Sequence, residues 1–126
     1  MMKRAILVII MMISFGGLYS FKNSESNLAG TTYASYYHDK FNGRKTASGE
    51  IFDNTELTAA NKRLPFGTLV EITNLRTGKS VVVKVNDRGP YAKGRSFDLS
   101  KAAFNAIGNH KRGTMPITYR VIGQED

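Results

Sequence analysis

Between residues 68 and 85 apolar and polar positions alternate. In TLVEITN (68–74) Val70 and Ile72 share one face and Leu69, Glu71 and Thr73 the other; in KSVVVKV (79–85) Val81, Val83 and Val85 fall together. A period of two belongs to strands with one buried side. The intervening LRTG (75–78) supplies a turn with a glycine, so the two segments are expected to form a β-hairpin. TTYASYY (31–37) is rich in Thr and Tyr, which suit strands, and MPITYRVI (115–122) puts Ile117, Tyr119 and Val121 on one side. The period changes in DLSKAAFNAIGN. There Leu99, Ala102, Ala103, Ala106 and Ile107 form a helical stripe, with Asp98 as the expected N-cap and Gly108 as the stop. Many short strands with one or two short helices predict a mainly β chain closed into a small barrel, because closure removes exposed edges.

The same pattern divides the chain. MMKR is followed by the uncharged AILVIIMMISFGGL (5–18) and then by polar residues, the form of a secretory signal peptide, taken here as residues 1–20. The apolar run is shorter than the roughly 20 residues a spanning helix needs; left uncleaved, it would act as a membrane anchor. FKNSESNLA (21–29) reads as a linker, 30–122 as the domain and 123–126 as a tail. The chain has no cysteine, so it holds no disulfide or thiolate site and takes no lipid on an N-terminal cysteine. Net charge is +8; without Lys3 and Arg4, 16 basic residues face 10 acidic ones, or +6. A basic exported domain, in the periplasm or cell envelope, suits an anionic envelope polymer or a membrane surface. No nucleic-acid motif accompanies the charge, so nucleic acid is not an expected partner.

Candidate chemistry narrows quickly. His38 and His110 lack companions at metal-ligand spacing, and no G-x-S-x-G, P-loop or dinucleotide fingerprint occurs, so neither metal nor cofactor is expected. Carboxylates remain. Glu50 closes the turn KTASGE (45–50), Asp53 sits in the turn-like FDNT, Asp87 ends the valine-rich run in VNDRGP (85–90), and Asp98 precedes the helical stripe. Asp53 reads as a turn residue bonded to its own backbone. Arg88 can pair with Asp87, lowering its pKa, or with Asp98, leaving Asp87 free; its planar fork suits a structural role between two turns.

Taken in order, TASGE, TAA-x-K-x-LPFGT, VNDRGP and R-x-x-DLS resemble the rare lipoprotein A (RlpA) family of septal lytic transglycosylases over nearly all of residues 31–122. The resemblance implies a six-stranded double-psi β-barrel with a groove across one side. It also implies cleavage of peptidoglycan glycan strands, preferably peptide-poor ones, between MurNAc and GlcNAc, with a 1,6-anhydro product. Carried over by motif, the essential acidic residues fall on Glu50 and Asp87. In this reading Asp87 is the acid/base, and Glu50 stays ionised to stabilise positive charge or orient Asp87; the two roles are exchangeable. Asn61 stands where the family commonly has a histidine, and an amide can bond a sugar but cannot carry a proton. Tyr36, Tyr37 and Phe41 are candidate sugar-stacking faces, and Arg44, Lys45 and Arg95 candidate partners of the muramic acid carboxylate. The alternative is a non-catalytic, expansin-like barrel that binds cell-wall glycan without cutting it.

Overall fold

The computed structural model describes residues 29–125, so the expected signal peptide and all of the linker except Ala29 lie outside the described residues. Six strands, β1 (Ala29–Tyr36), β2 (Thr58–Ala60), β3 (Thr68–Asn74), β4 (Ser80–Asp87), β5 (Arg95–Leu99) and β6 (Met115–Gln124), close in the order β1-β5-β2-β4-β3-β6. β1 runs parallel to β5 and β2 parallel to β4, while the other four neighbours pair antiparallel. This is the expected double-psi barrel. One α-helix, α1 (Lys101–Ile107), and 3₁₀ turns at Asp39–Phe41 and His110–Arg112 accompany it.

The hairpin forms as its pattern predicts. Val70 lies opposite Val83 and Ile72 opposite Val81 across β3 and β4. Val70, Ile72, Val83 and Val85 are fully buried and meet Phe97, Leu99 and Ile117 in the barrel interior. Each such side chain contributes about 1.5–3 kcal/mol on leaving water.

Two irregularities in register matter for the outer wall. Opposite Ala59 and Ala60 of β2, β4 presents Val85 and then Asp87, so Asn86 is an extra residue. Strict alternation from Val83 and Val85 would send Asp87 into the core; the bulge turns it outward. Likewise β1 pairs Tyr33 with Arg95 and Ala34 with Phe97, leaving Ser96 extra. Phe97 and Leu99 then point inward and Asp98 between them points out.

Three expectations are corrected. First, Asp98 is not the helix cap. It belongs to β5 with Leu99, and the Ser100 hydroxyl caps α1 by accepting from Ala103 N at 3.2 Å. The buried face of the helix is Ala103, Phe104 and Ile107, with Ala106 exposed, because bulky Phe104 takes the core position and Leu99 is used by the barrel. Second, Gly108 does end the helix, but with an extended φ of −167° rather than a left-handed one. Its need for glycine is close approach: a Cβ there would lie 2.6 Å from Met115 Cε and 2.9 Å from Asn74 Nδ2. Third, the chain does not trail off at 122. β6 continues to Gln124, and Glu125 N donates to Gly67 O at 2.7 Å.

Candidate active site

Across four neighbouring strands one row of outward positions runs Ser35 (β1), Asp98 (β5), Ala60 (β2) and Asp87 (β4), each the register partner of the next. Two interstrand steps of about 4.8 Å place the Cα atoms of Asp98 and Asp87 about 10 Å apart. The residue between them, Ala60, is fully buried. Both aspartates are half-buried.

The environments of the two carboxyl groups differ. Asp98 accepts from the Ser35 hydroxyl through Oδ1. Burial pushes its pKa above the ordinary carboxylate value, the Ser35 bond and the Arg95 charge oppose that rise, and the Asp87 charge adds to it. Asp87 is held on both oxygens: Oδ1 accepts from Ala47 N and Arg88 N, both at 2.9 Å, and Oδ2 accepts from the Tyr37 hydroxyl. Desolvation, then the bond to Asp87, raises the Tyr37 phenol well above its usual range, so it stays a donor. Tyr37 stacks on Phe52 at 4.3 Å and meets Phe41 edge-on at 6.0 Å, with the Arg44 guanidinium 5.2 Å from the Phe41 ring centre. An aromatic and cationic flank therefore adjoins Asp87, while Arg95 lies on the same strand as Asp98.

The remaining expected site residues divide. Glu50 is exposed and its hydrogen-bond partners lie outside the row: Lys84 Nζ lies 2.9 Å from Oε2 and Asn86 Nδ2 donates to Oε1 at 3.0 Å. The Lys84 bond, with help from Asn86, lowers its pKa. It opens onto a cleft of about 250 Å³ shared with Ser48, Phe66, Gly67 and Lys84, which Asp87 does not line. The turn it closes nevertheless reaches Asp87 through Ala47 N. Tyr36 is not in the row; it packs on Phe104 at 5.2 Å and on His110 at 5.5 Å, against the core. Lys45 is exposed and joined to Ile51 by an isolated bridge. Arg88 pairs with neither aspartate. Its Nη1 donates to the carbonyls of Asn61 at 3.2 Å and Leu64 at 2.9 Å, with the guanidinium 4.0 Å from the Phe66 ring centre, so it joins two turns through backbone rather than carboxylates.

Asn61 is buried and its amide is engaged by the protein. Nδ2 donates to Ser96 O, and Oδ1 accepts from Arg63 N and Leu64 N, all at 2.9 Å. Asn61→Ala is expected to cost about 2–3 kcal/mol, since three backbone groups lose their partner, read as a lower urea midpoint with an unchanged slope. One contributor escaped the sequence reading. Ser35 gave no signal beyond its outward place in an alternating strand.

Fold and site together define a class: a double-psi barrel with a carboxylate row on its outer wall. The chain belongs to the lytic transglycolase family, which matches residues 29–119. It is 64% identical over 75 residues to a probable endolytic peptidoglycan transglycosylase RlpA of Treponema pallidum (strain Nichols), covering 60% of this chain and 24% of that protein. It is 52% identical over 90 residues to the protein of the same description from Aquifex aeolicus (strain VF5), covering 71% and 40%. The chain thus spans less than half the length of these relatives. In structure it resembles a mutant of Clavibacter michiganensis expansin in complex with cellohexaose, with a TM-score of 0.62 at 22% identity over 76% of this chain and 51% of that one, a likeness of fold.

Proposed function

We propose that the chain is an extracytoplasmic lytic transglycosylase that cuts peptidoglycan glycan strands between MurNAc and GlcNAc. One observation carries the reading: a half-buried carboxyl group with a raised pKa, Asp98, stands across a single intervening strand from a second, fully oriented carboxylate, Asp87. The names of its family relatives supply the substrate class.

Cleavage needs a proton on the leaving oxygen and stabilisation of an oxocarbenium-like centre. Asp98 takes the first role, because burial favours its protonated form and one of its oxygens is not used by Ser35. It gives its proton to the GlcNAc oxygen as the bond to C1 of MurNAc breaks. Its carboxylate then accepts the proton of the MurNAc 6-hydroxyl as that oxygen closes on C1, so no water is consumed and Asp98 returns to its starting state. The nucleophile is tethered, which gives it a high effective concentration. Asp87, fixed by Tyr37, Ala47 and Arg88, supplies the negative charge facing C1. Glu50 acts at one remove: its bonds to Lys84 and Asn86 hold the turn that presents Ala47 N to Asp87. In this proposal Asp98 rather than Asp87 is given the acid/base work, and Glu50 a positioning role. Phe41, beside Arg44, is proposed to meet sugar rings, and Arg44 and Arg95 the lactyl carboxylate.

Digestion of peptide-free glycan strands by the full chain tests the reading. The expected products end in 1,6-anhydroMurNAc, one water lighter by mass spectrometry than hydrolysis products. Reducing-end products would mean a hydrolase, and retention of uncut glycan a binding barrel.

A further inference from the structure

The charge of this molecule is segregated. Residues 72–86 and 99–124 contain no Asp or Glu. The fold brings the turn between β3 and β4 against the C-terminal end of α1 and the start of β6, forming a cleft of about 380 Å³. Phe104, Ile107 and Met115 are buried beneath it, and Arg76, Lys79 and Arg112 line it. None of these three cations takes part in an ion pair among the described residues. Gly108 also lines it, and a Cβ there would collide with Met115 and Asn74. Lys79 precedes β4 and Asp87 ends it, so at about 3.3 Å per residue the cleft lies roughly 25 Å from the carboxylate row.

From this we infer a second binding site, for the acidic stem peptide of peptidoglycan; the choice of ligand rests on the reading of the chain as a peptidoglycan enzyme. Three unpaired cations lining one cleft call for more than one anionic group. The apolar side chains beneath the cleft are buried, so none protrudes as it would have to on a surface that enters lipid. Stem peptides meet this demand, with several carboxylates on a short, compact chain. At this distance the row and the cleft meet different parts of the wall: the cleft holds a peptide-bearing strand while the row works on a neighbouring bare one.

The test is titration of the full chain with the tripeptide L-Ala-γ-D-Glu-meso-diaminopimelate, followed by calorimetry. Binding is expected to weaken with added salt, to fall at least tenfold in the Arg76→Glu, Arg112→Glu double variant, and to be lost when the peptide's carboxyl groups are amidated. The double variant should cut soluble peptide-free strands at the parental rate but intact sacculi several-fold more slowly. Equal binding by parent and double variant, or of the amidated peptide, would overturn the inference. So would tighter binding to phosphatidylglycerol vesicles than to the peptide, which would assign the cleft to phosphate headgroups. The readouts separate the two readings: a chain that binds the tripeptide but cuts no glycan sinks the enzymatic role alone, and one that cuts bare strands without binding the tripeptide sinks only this site.

Discussion

Asp98→Asn is expected to lower turnover of peptide-free glycan strands by about 10²–10⁴-fold while leaving the melting temperature at or above that of the parent. The two halves have one cause. Burial raises the pKa of Asp98 above its unfolded value, so the fold favours the protonated carboxyl. A carboxyl raised in this way stabilises the fold most when protonated, and that contribution is lost as pH climbs past the unfolded pKa toward neutrality. An amide carries no charge to desolvate, and its oxygen still accepts from Ser35. The variant should therefore gain on the parent in thermal stability as pH rises from acid to neutral, whereas it has no proton to give the leaving sugar. Parental turnover would remove Asp98 from the acid/base role, and a lowered melting temperature at neutral pH would remove the argument from burial.

The contrast between Asp87 and Asp98 shows what was legible in the chain. The β3–β4 hairpin was readable because its alternation is strict and its turn is short. β2 and β5 were not: Thr58–Ala60 is three residues long, and Arg95–Leu99 carries an extra residue that breaks its period. Asp98 before an apolar stripe has the local form of a helix cap, and nothing local reveals that Leu99 is needed by the barrel and that Ser100 supplies the cap. The motif marked Asp87, but its outward direction comes from the Asn86 bulge, which exists only in register with β2. The aromatic residues show the same limit. Tyr36 and Tyr37 are adjacent in sequence, yet alternation sends one to Phe104 and the core and the other to Asp87. Asn61 sat at a motif position that suggested contact with sugar, and nothing local revealed that tertiary structure engages its amide with three backbone groups.

Asp87→Asn tests the coupling between the two carboxyl groups, and it is expected to do two separable things. Turnover should fall about 10²-fold, the scale seen when one preorganised electrostatic partner of a transition state is removed. The amide oxygen can still accept from Ala47 N and Arg88 N, and the amide nitrogen can donate to the Tyr37 oxygen, so the urea midpoint should move little. The second effect is on pH. The Asp87 charge contributes to the raised pKa of Asp98; without that charge the Asp98 pKa drops, and less of the group is protonated at any given pH. The descending limb of the rate profile, which follows loss of the Asp98 proton, should therefore shift to lower pH in the variant, with the residual rate greatest on the acid side. A residue that only held a turn together would lower the rate without moving the limb. An unmoved limb beside a reduced rate would mean that Asp98 does not feel Asp87 and that the row is not one electrostatic unit.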